Sequence, residues 1–255
     1  MKNKHESSEL TYSNELSIKS RKKIFKLMQD YDASSEEFER SLGLFVRGSL
    51  LARILAITDI YNMILQLPGT IFDIGCWRGQ TSVVCENLRA IYEPLNFNRR
   101  IYLFDTFTGY KGFKSNEKTT EYQKNNTYSV GDNYPQLLNE LLILHEKSNA
   151  MGHNNGKHQI IKGDCRKTLP KFFNDYPNEL IALSYFDLNA FEPTKIAIDM
   201  VWDKTVSNGI LAFWQLTRDR IHGESIAYQQ SILNRYTHDI HLCPTYPGLT
   251  YIIKR

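Results

Sequence analysis

Between residues 71 and 79 the chain reads Ile-Phe-Asp-Ile-Gly-Cys-Trp-Arg-Gly. A β-prone run ends on the carboxylate of Asp73, Gly75 and Gly79 bracket a tight turn, and a helical run starts at Thr81. A glycine-rich turn from strand to helix lets backbone N–H groups come close to a ligand. An acid at the strand tip suits a cationic or hydroxyl-rich ligand better than a phosphate. The pattern Asp-x-Gly-x-x-x-Gly therefore points to S-adenosylmethionine (SAM). The missing Gly-x-Gly-x-x-Gly weighs against a nicotinamide-dependent oxidoreductase.

Three further acids, Asp105, Asp164 and Asp187, close apolar runs of their own. Any one of them would serve as a helix N-cap. Four at successive strand ends argue instead for a ligand crevice, because open α/β sheets bind ligands outside the carboxyl ends of their strands. In this reading Asp105, with Thr106 beside it, accepts hydrogen bonds from the ribose hydroxyls. Asp164 takes the exocyclic amine of adenine, and Asp73 and Gly75 face the amino-acid end of SAM. Trp77 and Arg78 contact SAM or its acceptor, or pack between helices. Asp187 lies nearest the transferring methyl.

These residues need a sheet to hold them. Strands are expected over 70–73, 100–105, 158–162, 181–187, 209–214, 238–242 and 250–254, with helical patterns between most of them. Such alternation predicts a mainly parallel sheet covered on both faces, a doubly wound α/β domain over residues 68–255. The last two strands are joined by a linker too short for a helix and are expected to form a hairpin-like edge. The segment 106–134 is polar and follows a strand tip, which suits a lid. Its Tyr110, Tyr122, Tyr128 and Tyr134 offer rings to a sugar face or anchor the loop. Ahead of the sheet, residues 1–67 are read as an N-terminal arm and helical extension. A basic cluster (Lys19, Arg21, Lys22, Lys23, Lys26) within 1–33 is expected to be a solvated or partly ordered arm, and a helix start is signalled by Ser35-Glu36-Glu37.

Composition limits the partners. The formal net charge of +3 over 255 residues is too small to indicate nucleic acid. The 42 % hydrophobic content suffices for a core. Four scattered cysteines suit a reducing compartment. No signal sequence or membrane-spanning run is read, so the expected location is cytoplasmic. His145, His153 and His158 match no metal-ligand spacing. No metal is expected, and the helical N-terminal region offers a surface for a homodimer.

Four stretches together resemble a known family. Residues 91–110 (Ile-Tyr-Glu-Pro-Leu-Asn-Phe-Asn-Arg-Arg-Ile-Tyr-Leu-Phe-Asp-Thr-Phe-Thr-Gly-Tyr), 163–170 (Gly-Asp-Cys-Arg-Lys-Thr-Leu-Pro), 186–195 (Phe-Asp-Leu-Asn-Ala-Phe-Glu-Pro-Thr-Lys) and 222–227 (His-Gly-Glu-Ser-Ile-Ala) are similar to the macrocin-type (TylF/MycF) SAM-dependent O-methyltransferases, most of all the sugar-modifying branch. The resemblance implies a seven-stranded, Rossmann-like class I methyltransferase sheet. It also implies transfer of the SAM methyl to a hydroxyl of a sugar or sugar-nucleotide acceptor, in polysaccharide or natural-product biosynthesis. Metal-using members carry an Asp where Asn189 stands and an acidic pair where Trp214-Gln215 stand, so this chain keeps the SAM half of the pattern and changes the acceptor half. Without a metal a side-chain base must take the hydroxyl proton, and the candidates are Asp187, His222 and Glu224. The rival reading is a SAM-binding protein that has lost transferase activity.

Overall fold

The computed structural model describes residues 14–120, 123–149, 156–218 and 220–255. The chain divides into two compact units, residues 1–52 and 53–255.

In the first unit, α1 (Glu15–Gln29) is capped by the Asn14 side chain, which accepts from the Ser17 N–H. The basic cluster expected in a solvated arm therefore lies on a helix. None of the helix's side chains is buried, and Lys19–Glu15 and Lys26–Asp30 pair one turn apart on its surface. Residues 1–13 of the expected arm lie outside the described residues. α2 (Ser35–Ser41) starts on a capping box in which Ser34 and Glu37 satisfy each other's backbone N–H. The start signal is thus correct and its cap is one residue earlier. A 3₁₀ turn (Leu42–Phe45) follows, and Phe45 meets the rings of Tyr31 and Phe38. α3 (Gly48–Met63) begins here.

The second unit holds a seven-stranded sheet. Its strands are β1 (Thr70–Ile74), β2 (Ile101–Asp105), β3 (His158–Lys162), β4 (Ile181–Phe186), β5 (Thr205–Phe213), β6 (His238–Leu242) and β7 (Thr250–Lys254), in the order β3-β2-β1-β4-β5-β7-β6. The first five are parallel, while β7 runs antiparallel between β5 and β6. The expected terminal hairpin is present, with β6 rather than β7 at the edge. Helices α4 (Gln80–Tyr92), α5 (Tyr134–Ser148), α6 (Cys165–Asp175), α7 (Phe191–Lys204) and α8 (Gly223–Tyr228) supply the crossovers and the cover. Among the described residues no single helix is long and apolar enough to cross a membrane.

Strand periodicity decides which face carries the acids. Ile71, Leu103 and Tyr185 belong to one core layer, with Ala56, Ile57 and Ile60 of α3. Phe72, Phe104 and Phe186 belong to the layer on the opposite face. Because side chains alternate, Asp73, Asp105 and Asp187 continue the first set and emerge on the α3 side of the sheet. The three strands are neighbours, so their tips are neighbours too.

The entry to β1 is clamped by Arg99. Its guanidinium donates to the carbonyls of Gly69, Ile64 and Leu67 and to the Glu93 carboxylate, which also accepts from Tyr61 Oη at 2.6 Å. Arg99 is 1 % exposed, so every lost partner would leave a buried polar group unpaired. Arg99→Ala is therefore expected to cost about 3–5 kcal/mol of unfolding free energy, read from urea denaturation. A loss below about 1 kcal/mol would show that the clamp is dispensable.

Candidate active site

The glycine turn is shaped by close approach. Gly75 sits at φ +87°, and a Cβ there would lie 2.7 Å from the Asp187 carbonyl oxygen. Gly79, at φ +74°, faces Leu138 at 2.5 Å in the same way. Any side chain would push the turn off β4 or α5. The turn is also held electrostatically: Asp105 Oδ2 accepts from the Trp77 N–H and Oδ1 from the Phe107 N–H, both at 2.7 Å. Trp77 and Phe107 both have left-handed backbones, at φ 49° and 57°. One carboxylate thus pins two strained loops.

Asp73 lies beneath the turn, 3 % exposed, and accepts from Ser82 Oγ at 2.6 Å. Burial pushes its carboxyl up to about 7, against the Ser82 bond and the Arg53 charge, with Asp187 and Asp105 adding repulsion. Asp105 and Asp187 are also raised, chiefly by burial. The crevice therefore gathers three carboxylates that resist ionising together, which is the electrostatic setting for a cationic ligand. A sulfonium and an ammonium fit this donor set; a phosphate does not.

Asp164 is placed differently. It caps α6, accepting from the Arg166 N–H at 3.0 Å, and the Arg166 guanidinium grips both its oxygens at 2.6–3.1 Å. The Arg166 side chain holds its carboxyl below the ordinary carboxylate value. An adenine amine would have to share this carboxylate with Arg166. Thr106 closes its own loop, donating to the Gly109 carbonyl at 2.7 Å.

On the acceptor side, Asp187 is met by Asn189 Nδ2 at 3.2 Å and by the Gln215 side chain. Arg53 Nη2 stands 4.0 Å from Asp187 Oδ2, and its guanidinium lies 3.7 Å above the Trp214 ring. Asn189 takes φ 62°, which asparagine tolerates better than most residues, and also donates to Tyr110 Oη at 2.7 Å. Glu224 is wholly buried at the start of α8. Its oxygens accept from the Asn189 N–H at 3.3 Å and the Gln215 N–H at 3.0 Å, so it ties the loop after β4 to the loop after β5. His222, at the N-cap position of α8, is partly exposed. Sequence reasoning missed Arg53 and took Glu224 for a base or a first-turn acid. Only a cation at a long sequence distance, on a helix facing the acids, could have hinted at the first.

The loop after β2 folds back on itself: Tyr110 pairs with Thr127 and Asn126 through the backbone, and Phe107 with Val130. The Tyr128 ring meets both Trp77 and Tyr110 edge-on. Glu117 caps α7 by accepting from the Phe191 N–H at 2.9 Å. Tyr134 starts α5 and donates to the Arg78 carbonyl at 3.0 Å, with the Arg78 guanidinium over its ring. Tyr122 and His153 lie outside the described residues. Of the other histidines, His158 faces Glu146 at 3.7 Å, within a buried charge network away from the crevice.

A divalent metal does not fit this acceptor side. Asn189 offers one neutral amide oxygen, both Glu224 oxygens are spent on backbone N–H groups, and a guanidinium already stands beside the remaining carboxylate. Such a metal needs several hard, mostly anionic oxygens. Among the described residues no group of three His, Cys, Asp or Glu could hold one.

A parallel sheet in this order, with an acid-lined crevice at the glycine turn after β1, defines a class I SAM-dependent methyltransferase. The sequence profile of the TylF family, macrocin-O-methyltransferase, matches residues 51–217. The crystal structure of CalS11, a calicheamicin methyltransferase, superposes with a TM-score of 0.89 at 30 % identity, covering 95 % of this chain and 94 % of that one. The apo structure of CalS11, described as a TDP-rhamnose 3'-O-methyltransferase, gives 0.82 at 29 % identity, covering 95 % and 96 %. The O-methyltransferase NovP shares the fold alone, with a TM-score of 0.59 at 13 % identity over 80 % and 79 % of the two chains. No curated protein sequence matches the chain significantly. The chain belongs to the TylF macrocin-O-methyltransferase family and is a SAM-dependent O-methyltransferase.

The buried acids make stability depend on pH. Glu224 moves from 4.5 to about 8 on folding, mainly through burial, and Asp73 from 3.8 to about 7. Between the unfolded and folded values the native chain binds more protons than the unfolded one, so stability falls as pH rises. The ligand-free protein is expected to lose Tm steadily from about pH 4.5 to about pH 8 and then level off. Glu224→Gln should flatten that decline in thermal melts across the range. A Tm that rises over this interval would contradict the assignment.

Proposed function

We propose that the chain methylates a hydroxyl of a sugar, presented as a nucleotide sugar or on a glycosylated natural product, in the cytoplasm and without a resident metal. The carrying observation is the division of the crevice into two halves. Asp73 and Asp105 crowd the glycine turn on one side, and Asp187 stands on the other among Arg53, Asn189 and Gln215. The likeness to CalS11 supports a deoxysugar nucleotide as the first acceptor to try. The four cysteines are buried free thiols, in keeping with a reducing compartment.

SAM, when bound, supplies a methyl group already activated on a sulfonium. The work left to the protein is alignment and proton removal. Alignment of reactants contributes roughly 7–11 kcal/mol in well-oriented systems. Asp73 and Asp105 set the negative potential that holds the cation, and the backbone of the turn fixes its position. Asp187 Oδ2, not hydrogen-bonded to Asn189, is the oxygen offered to the acceptor proton. Burial raises its affinity for that proton, as a general base requires. Glu224 acts through the two loops it joins rather than on the acceptor. The tyrosine-lined lid, docked on Asn189 through Tyr110, covers the acceptor side and excludes water.

Purified protein with SAM and a panel of nucleotide sugars, TDP-rhamnose included, should release S-adenosylhomocysteine. Asp187→Asn should lower kcat by about 10²–10⁴-fold with S-adenosylhomocysteine binding intact by calorimetry. Asp105→Ala should weaken that binding. Normal turnover in both variants would remove the assignment.

A further inference from the structure

Two buried polar atoms beside Asp187 have no hydrogen-bond partner among the described residues: Nε of Arg53, a donor, and Oδ1 of Asn189, an acceptor. Arg53 does not close on the neighbouring carboxylate, since 4.0 Å is beyond hydrogen-bond reach. Nor is its guanidinium loosely held. It lies on Trp214, which is 2 % exposed and is itself packed against the rings of Tyr185 and Tyr246. A guanidinium held this close over an indole is fixed in position by the attraction of the ring face for its charge. A guanidinium and a carboxylate, each 27 % exposed, thus stand side by side without closing on one another, with the Asn189 amide next to the carboxylate. A hydroxyl answers this pair, because it accepts from the guanidinium and donates its one proton to the carboxylate.

We propose that Arg53 is the cation of the acceptor subsite: its N–H groups hold the oxygen of the acceptor hydroxyl while Asp187 takes the proton. As that proton passes to Asp187 and on to solvent, negative charge grows on the oxygen, and the guanidinium is already in place to stabilise it. The positive charge that a divalent ion would supply here is carried by the chain itself. Trp214 fixes the position of that charge. The inference rests on the reading of the protein as a sugar O-methyltransferase and adds the residue that recognises the reacting hydroxyl.

The test uses Arg53→Ala and Arg53→Lys in the full chain, with S-adenosylhomocysteine affinity and circular dichroism as checks on cofactor site and fold. Arg53→Ala should keep its S-adenosylhomocysteine affinity and lose at least about 100-fold in kcat. Guanidinium ion at millimolar level should restore part of that loss, and Arg53→Lys should lose less. Wild-type turnover should be unchanged by EDTA, and Mn²⁺ should show no binding by electron paramagnetic resonance. Unaltered kcat in Arg53→Ala overturns the inference, as does a loss that neither guanidinium nor lysine relieves. Wild-type activity abolished by EDTA and restored by Mg²⁺ overturns it as well. If Arg53→Ala does not fold, Arg53→Lys decides: wild-type kcat with Mn²⁺ bound is the contrary result. No transfer by the wild type to any sugar acceptor overturns the functional reading and this inference together, whereas transfer with an indifferent Arg53 overturns this inference alone.

Discussion

Three carboxylates that cannot comfortably ionise together are the constraint around which this protein is arranged. Asp73, Asp105 and Asp187 stand on adjacent parallel strands and on the same face, so they share one poorly hydrated space. Burial is the chief cause of each raised carboxyl, and repulsion from the neighbouring acids adds to it at Asp73 and Asp105. Each acid is partly relieved: Asp73 by Ser82, Asp105 by two backbone N–H groups, Asp187 by amides and the nearby Arg53. What the fold leaves unrelieved is a demand for positive charge, which a sulfonium nucleoside meets.

The acceptor half is held by different means. Glu224 accepts from two backbone N–H groups and so joins the loop that carries Asp187 and Asn189 to the one that carries Trp214 and Gln215. The loop after β2 reaches the same place, with Tyr110 Oη accepting from Asn189. In this half an indole and two amides, those of Trp214, Asn189 and Gln215, stand around Asp187 and Arg53. Its positive charge comes from α3, a helix outside the βα units of the sheet. Cofactor side and acceptor side therefore meet on one sheet edge with opposite electrostatic needs.

Much of this was legible from residue types. All seven strands fall on the expected runs, with β5 starting earlier, at Thr205; the central parallel strands β1, β2 and β4 were the plainest, because a buried parallel strand is apolar up to the point where it meets the crevice. The turn at Gly75 and Gly79 was legible because only glycine permits so close an approach. α1 was not foreseen: its apolar positions Ile18, Ile24, Phe25 and Met28 were outweighed by the basic cluster among them, and the helix buries none of its side chains. Asp164 was read as a ligand contact, and Arg166 is seen to grip it two positions later. That pairing depends on the cap geometry of α6, which type and spacing do not reveal.

The chain's own residue order determined the strand-and-helix rhythm, the glycine turn after β1 and the acids at the strand tips. These are local properties, set by alternation, turn chemistry and the side chains at strand tips. Tertiary structure alone decided that Asp187 stands beside Arg53, that Glu224 is a tie between loops, and that Asn189 is shared by Asp187 and Tyr110. Those relations join residues up to 134 positions apart. They exist only once the sheet order brings β4 and β5 under α3, because charge, burial and hydrogen-bond satisfaction are properties of a folded neighbourhood rather than of a residue.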